Sequence, residues 1–227
     1  MKVLAISAHP DDETMAAGGT LAMYASEGHD VYLLETTRGE GGEAGDPPLV
    51  EPERLGAYRE GEVRAAAAAL GVCDVFFLPF EDPHMEIGGT ASRIDAPLEL
   101  FVAAIADCLR EIQPDVVLTH GSNGEYGHPQ HVYTHQATRL ALAALGRPVT
   151  LLTWNAWYPG AERPRMLNPG DRADVVRDIS PWLDAKIAAA MQHRTQHAMF
   201  LRNSGAASVA DMVTRVESFR TIAIGGA

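Results

Sequence analysis

Short apolar runs alternate with helix-like segments along most of this chain, and this alternation restricts the fold more than any other feature. A short apolar run without polar alternation is typical of a strand that is covered on both faces. Such runs, separated by helices, predict an α/β fold: a Rossmann-like, mostly parallel sheet with helices on both faces. The stretch at 216–224 fits no single element, and we leave it unassigned. The runs lie at 2–7, 30–36, 75–78, 116–119 and 149–154, and the helix-like segments at 14–27, 52–70, 98–112, a stretch ending at 145, and 181–193.

Size and charge limit the classes of function. The 227 residues can bury one sizeable core, and no linker-like stretch divides them, so we expect a single domain over 1–227. A formal net charge of −12 without a Lys/Arg cluster argues against nucleic acid or an anionic membrane as a partner, and favours a small-molecule substrate. No apolar stretch approaches the ~18 residues of a membrane span. The two cysteines have no disulfide or metal spacing, so we expect a cytoplasmic protein.

Clusters of ionisable side chains follow the first and fourth apolar runs. The stretch 8–13 reads Ala-His-Pro-Asp-Asp-Glu, and 120–131 holds three histidines, a glutamate and a tyrosine. The carboxyl ends of parallel strands meet at one edge of a sheet, where ligands collect. Both clusters are therefore expected to line one crevice.

The spacing within the clusters is that of a metal site. His9 and Asp12 are three residues apart, as are His128 and His131, which puts each pair on one side of a helical turn. His9, Asp12 and one or both of His128 and His131 would supply the three ligands of a catalytic zinc, although Fe(II), Co or Ni would also bind. Asp11 could then take a proton from a metal-activated water, while a remaining histidine protonates the leaving nitrogen. The pattern predicts a metal-dependent amide hydrolase, although an acidic first helical turn is the simpler alternative for the carboxylates alone.

These motifs together resemble the LmbE-like or PIG-L-type zinc N-deacetylases. The hallmark first motif of that family looks like 8–13, and its second motif is similar to 124–131. The resemblance covers most of the chain and is densest over 3–145. Further similar stretches lie at 37–40, 58–62 and 70–72.

The resemblance implies a role for each of eight residues. The zinc ligands would be His9, Asp12 and His131. Asp11 would be the general base, His128 the protonated partner of the tetrahedral intermediate, and Tyr126 a group that polarises the amide carbonyl. Arg59 and Asp82 would contact sugar hydroxyls.

The substrate implied by the resemblance is an N-acetylglucosamine conjugate, from which family members remove the acetyl group. Such conjugates include precursors of mycothiol and bacillithiol, and we favour a bacillithiol-type precursor such as the malate glycoside. An amidase acting on a thiol conjugate or an antibiotic sugar is the alternative, and a non-catalytic metal- or sugar-binding module a more distant one. Relatives are often homo-oligomers, which we expect here also.

Three residues leave questions open at this point. Gln130 stands where relatives usually carry an acidic residue, and outer carboxylates commonly orient a ligating imidazole. His120 is expected to be a polar neighbour of the site rather than a ligand. His193 lies in a family-like segment, but we assign it no role.

Overall fold

The computed structural model describes residues 1–84 and 91–225, and in that part of the chain a seven-stranded sheet forms the centre. The strand order is β3-β2-β1-β4-β5-β9-β8, with β1 to β5 parallel and the last two strands antiparallel to their neighbours. This arrangement confirms the predicted fold class. The strands are β1 Lys2–Ser7, β2 Asp30–Glu35, β3 Asp74–Phe77, β4 Val116–Thr119, β5 Val149–Trp154, β6 Ala156–Trp157, β7 Asn168–Arg172, β8 Val175–Asp178 and β9 Val216–Ile224.

Helices cover both faces of the sheet. One face packs against α1, α2 and α6, and the other against α3 and α5, so the strands between them are buried on both sides. This double burial explains the unbroken apolar runs. The helices are α1 Asp12–Ser26, α2 Leu55–Leu70, α3 Leu98–Ile112, α4 Gly124–Gly127, α5 Pro129–Ala144, α6 Leu183–Ala190, α7 His197–Ser204 and α8 Val209–Met212.

Some element boundaries differ from the sequence-based ones. Helix α2 begins three residues later than predicted, because Pro52–Arg54 forms a separate 3-10 turn. The helix predicted at 181–193 is shorter and spans Leu183–Ala190. Within the loop expected at 79–97, residues 85–90 lie outside the described residues, as do the last two residues of the chain.

The unassigned stretch at 216–224 is the strand β9, which pairs with β5. Its Glu217 carboxylate is buried and accepts hydrogen bonds from the amides of Gly19 and Thr20 and from Lys186 Nζ, each at 2.8 Å. A buried carboxylate is tolerated when such partners satisfy it. These contacts fasten the C-terminal strand to α1, the helix that begins with Asp12.

The sheet topology places β1 beside β4, with Ile6 opposite Thr119. The direction in which successive strands are added to the sheet reverses at this pair, because β2 and β3 lie on one side of β1 whereas β4 and β5 lie on the other. The carboxyl ends of β1 and β4 therefore flank the crevice where open α/β sheets bind ligands. Among the described residues, no helix has the length and apolar character needed to cross a membrane.

Candidate metal centre

The turn after β1 directs His9 and Asp12 into the crevice. Asp11 has φ 129° and ψ −30°, a strained conformation for a residue other than glycine. The Asp12 carboxylate accepts a hydrogen bond from the His9 amide at 3.0 Å, and the same Oδ2 lies 3.1 Å from His9 Nδ1. The turn thus presents an imidazole nitrogen and a carboxylate oxygen together.

The segment after β4 brings His131 to the same place. Pro129 begins α5 with its fixed φ, and His131 follows in the first turn. His131 Nε2 is buried, makes no hydrogen bond within the described chain and lies 3.3 Å from Asp12 Oδ2. One donor atom each of His9, Asp12 and His131 lies within 4.8 Å of the others, so the structure brings the three predicted ligands together.

Glu125 orients His131 and was not given a role from the sequence. Its Oε2 accepts hydrogen bonds from Nδ1 of His131 at 2.6 Å and from Nδ1 of His120 at 3.1 Å. These contacts hold the pKa of Glu125 well below its usual range despite burial. They also fix the tautomer of His131, whose Nε2 then faces Asp12. Glu125 lies inside the second motif given above. A carboxylate six residues before a proposed ligand could have indicated from the sequence that Glu125 orients that ligand.

Asn168, which no sequence pattern indicated, supports Glu125 from β7. Its side chain is fully buried, and Oδ1 accepts hydrogen bonds from the Glu125 amide at 3.1 Å and the Asn123 amide at 3.2 Å. Its Nδ2 lies 3.3 Å from Glu125 Oε1. Glu125 itself is strained, with φ 61° and ψ −89°, so these contacts stabilise an otherwise unfavourable backbone. A Cβ on Gly121 would come within 2.1 Å of this side chain, which explains the glycine there.

His120 contacts both loops of the site, and its expected role as a polar neighbour rather than a ligand stays a prediction. The Ala8 amide donates to its Nε2 at 3.0 Å, which leaves Nδ1 to donate to Glu125. Burial lowers the pKa of His120, so the ring stays neutral. The imidazole therefore joins the loop after β1 to the loop after β4.

Gln130 contacts His9 rather than His131. Its Oε1 accepts from His9 Nε2 at 2.9 Å, and its amide group donates to Asp82 Oδ1 at 2.7 Å. With Nε2 used in this way, His9 Nδ1 and the Asp12 carboxylate face one another as two acceptors, an arrangement that a cation between them would stabilise. Asp82 is buried behind Gln130, and its predicted contact with sugar hydroxyls stays a prediction.

His9, Asp12 and His131 form a cluster of acceptor atoms, called the acceptor cluster below. Without a metal, this cluster favours a proton on His131 at neutral pH. The carboxylates of Asp12 and Glu125 outweigh burial and raise the pKa of His131 to about 10. The same contacts, led by His131, hold the pKa of Asp12 well below its usual range despite burial. Two imidazole nitrogens and one carboxylate oxygen are the donor set of catalytic zinc sites, so these residues fit a divalent metal.

Asp11 lies beside the cluster and is paired with Arg59. The Arg59 guanidinium is 3% exposed and donates to Asp11 Oδ2 at 3.2 Å, to Pro10 O at 2.6 Å and to Gly39 O at 2.9 Å. Burial raises the pKa of Asp11 well above its usual range, although Arg59 opposes this. A Cβ at Gly39 would come within 2.2 Å of the guanidinium, so the glycine-rich loop closes over it. Arg59 thus contacts the protein, and its predicted contact with the sugar stays a prediction.

His128 and Tyr126 border the crevice. The His128 ring centroid lies 5.1 Å from that of His9 and 4.4 Å from that of His131. Burial and these imidazoles lower the pKa of His128 to about 3, so its resting form is neutral and the predicted role requires it to gain a proton during the reaction. The Tyr126 ring is 5.8 Å from that of His128, and the residue is 57% exposed.

His193 is fully buried behind α1. Its Nε2 lies 3.1 Å from Thr14 Oγ1 and 3.8 Å from Glu13 Oε1. Burial raises the pKa of Glu13 to about 7, and its carboxylate accepts a hydrogen bond from the Asp11 amide at 3.1 Å. His193 therefore belongs to the packing beneath the turn that carries Asp11.

A cavity of about 710 Å³ opens beside the acceptor cluster. Asp11, Asp12, Tyr126 and His131 are among the residues that line it. Most of the remaining wall comes from the chain after residue 153. This C-terminal part includes Trp154, Tyr158, Leu167, Met199, Phe200 and Met212.

Comparison with known proteins gives one family. The family model for PIG-L, the GlcNAc-PI de-N-acetylases, matches residues 4–142. A 1D-myo-inositol 2-acetamido-2-deoxy-alpha-D-glucopyranoside deacetylase of Rhodococcus erythropolis is 40% identical over an alignment of 176 positions, which covers 72% of this chain but 57% of the relative. The corresponding protein of Actinosynnema mirum is 34% identical, with 92% of this chain and 85% of the relative covered.

Solved structures show the same fold. The N,N'-diacetylchitobiose deacetylase of Pyrococcus horikoshii has a TM-score of 0.69 and 19% identity, covering 97% of this chain and 83% of that one. The 4-carboxy-2-hydroxymuconate hydratase of Pseudomonas putida has a TM-score of 0.67 and 21% identity, covering 97% and 95%. At these identities the likeness concerns the fold alone, because one fold supports different reactions.

Proposed function

Because this chain belongs to the PIG-L family of de-N-acetylases, we propose that it is an N-deacetylase acting on an N-acetylglucosamine conjugate. The observation that carries the proposal is the convergence of donor atoms from His9, Asp12 and His131 within 4.8 Å, with Asp11 beside them. The names of the relatives make the 1D-myo-inositol glycoside the first substrate to test. The malate glycoside that the resemblance led us to favour has no support among these relatives.

The metal of the proposed site is zinc, bound by His9, Asp12 and His131. Zinc accepts imidazole nitrogen and carboxylate oxygen, and a catalytic site keeps an open position beside three protein ligands. A divalent metal in this position would supply Lewis-acid polarisation of the amide carbonyl and of the attacking water. Glu125 and Gln130 support the proposal because each orients one of the two imidazoles.

The remaining residues move protons and stabilise charge. Asp11 accepts a proton from the attacking water, and the rise in its pKa through burial makes it a stronger base than an exposed aspartate. Tyr126 donates a hydrogen bond to the carbonyl oxygen as negative charge develops there. His128 takes up a proton from solvent and gives it to the leaving nitrogen, while Asp11 releases to solvent the proton that it took from the water. The products are acetate and a free 2-amino sugar.

The rival proposals keep the same metal site. An amidase acting on a thiol conjugate or an antibiotic sugar would differ in the group that occupies the cavity. A non-catalytic binding module would not need Asp11 in a strained turn, since metal binding alone does not require a base. The single domain over 1–227, the homo-oligomer and the cytoplasmic location stay predictions.

The test combines metal content with acetate release. The purified protein is analysed for zinc and assayed on the inositol glycoside, on N-acetylglucosaminyl malate and on free N-acetylglucosamine. About one zinc per chain with acetate released from at least one substrate is the expected result, and the ratio of rates ranks the aglycones. A chain that binds no metal under zinc-replete conditions, or a metallated chain that deacetylates no sugar, would contradict the proposal.

A further inference from the structure

The cavity beside the acceptor cluster has an apolar wall that the proposed chemistry does not use. Four of the eight methionines of the chain line it. Its volume of about 710 Å³ falls in the range of roughly 300–1,000 Å³ typical of cavities that bind drug-sized ligands. The acetyl group does not fill this space, which leaves room for the sugar ring and its aglycone. The four methionines are Met15, Met166, Met199 and Met212.

The wall belongs to a hydrophobic cluster that is separate from the two cores of the sheet. Phe200 and Met212 are buried in this cluster, and Met15 and Met199 pack against it while remaining partly exposed. Met15 lies one helical turn after the strained Asp11, so the apolar surface begins next to the proposed reacting groups. Methionine adapts its shape to irregular apolar partners, which suits a binding wall.

The cavity lining also contains charged groups. Asp11, Asp12 and His131 lie where the amide must react, and the exposed Glu162 and Arg165 line the cavity as well. A polyol such as inositol exchanges its water for hydrogen bonds, and methionine and phenylalanine side chains offer none of useful strength. The part of the wall that these apolar side chains form therefore suits a hydrocarbon group better than a second sugar or cyclitol.

We propose that the preferred substrate carries an apolar aglycone, which packs against Met15, Met199 and Phe200 while the acetamide lies at Asp11 and His131. This inference rests on the proposed N-deacetylase function and names its substrate class. Burial of a CH₂ group contributes about 0.8 kcal/mol, or roughly a fourfold gain for each CH₂ that is fully buried. Partial burial reduces the expected gain to about twofold to fourfold for each added CH₂.

The experiment compares alkyl 2-acetamido-2-deoxyglucopyranosides with methyl, propyl, pentyl and heptyl aglycones. The expected result is a rise in kcat/KM with chain length and a higher kcat/KM for the pentyl glycoside than for the inositol glycoside. A flat series, or a clear preference for the inositol glycoside, would overturn the proposal. Glucosamine derivatives with longer N-acyl chains form a parallel series, and a length dependence confined to that series would also overturn it.

Two polar variants and one matched control locate the effect. Met15→Gln and Met199→Gln keep the side-chain length but replace the thioether, so the dependence on chain length should become shallower. Met23→Gln makes the same change on α1 at a position that does not line the cavity, and should leave the dependence unchanged. Equal slopes in all three variants and the wild type would contradict the assignment of the wall.

A binding measurement separates this inference from the proposed function. If no glycoside releases acetate, the proposed function fails, and calorimetry with the corresponding alkyl glucosaminides still tests the cavity. Affinity that increases with alkyl length and weakens in Met199→Gln would support the apolar site without turnover. Affinity independent of alkyl length would overturn it.

Discussion

Replacing Glu125 with glutamine should weaken metal binding although Glu125 is not a proposed ligand. The carboxylate is surrounded only by donors: Nδ1 of His120 and His131 at Oε2, and the Gly121 amide and Asn168 Nδ2 at Oε1. A glutamine replaces one oxygen by an NH₂ group, so in either orientation two donors face another donor. No rotamer of the variant therefore satisfies the site.

The size of the effect follows from these contacts. Loss of the group that orients a metal-bound imidazole typically lowers metal affinity about 10- to 100-fold, which corresponds to about 1.4–2.7 kcal/mol. We expect a loss of affinity near the upper end of this range, because the NH₂ group of the glutamine repels the imidazole N–H instead of only failing to bind it. Each hydrogen bond to a charged acceptor contributes about 1.5–3 kcal/mol, so the free energy of unfolding should fall as well.

The assay is competition for zinc against a chelating dye, together with urea unfolding of the chelator-treated protein. Glu217→Gln is the matched control. Like Glu125, Glu217 is buried and its carboxylate oxygens accept from N–H donors, but these donors lie on Gly19, Thr20 and Lys186 rather than at the metal centre. The control should lose stability and keep its zinc affinity. The reasoning is refuted if Glu125→Gln binds zinc within a factor of two of the wild type, or if Glu217→Gln loses as much affinity.

Four further predictions concern the site. Asp11→Asn should keep its zinc content and lose at least about 100-fold in the rate of acetate release; unchanged activity would reject Asp11 as the base. Arg59→Gln should lower kcat with little change in KM, because Arg59 contacts Asp11 and the backbone; a raised KM with kcat preserved would instead support the sugar contact. The pKa of His131, raised to about 10, means that zinc displaces a proton at pH 7, so affinity should rise with pH up to about 10. Calorimetry in buffers of different ionisation enthalpy should detect this proton, and binding without proton release would contradict it. Without metal, the same raised pKa stabilises the protein fully below about pH 6.5, and this contribution is lost as the pH rises towards 10.

The parts of the fold that could be predicted depend on local pattern. Strands β1 to β5 are buried on both faces, so each is a plain apolar run in the sequence. Strand β9 could not be assigned because Glu217 and Ser218 interrupt its pattern. Those two polar residues are buried because partners far along the chain satisfy them, at Gly19 and Thr20 for Glu217 and at Ala156 for Ser218. Contacts over such separations leave no local signal.

The site residues that could be predicted from the sequence are likewise those with a local pattern. The spacing within two short motifs indicated His9, Asp12 and one or both of His128 and His131 as ligands, and the family resemblance indicated His131. The role of Gln130 was not, because its contact with His9 joins residues 121 positions apart. Asn168 was not predictable either, since it contacts the site through Glu125 and neighbouring residues, more than 40 positions earlier in the chain. A residue that orients a ligand can be identified only from contacts that the fold creates, whereas a candidate ligand can be identified from its residue type.

The separation between the reacting groups and most of the cavity wall has a practical consequence for engineering. The proposed ligands and base lie within the first 131 residues, whereas Trp154, Leu167, Met199 and Met212 come from the later part of the chain. A library that randomises the later wall positions should therefore redirect substrate choice while leaving the hydrolytic groups untouched. Glu217 should stay fixed in such a library, because it fastens the C-terminal strand to the helix that begins with Asp12.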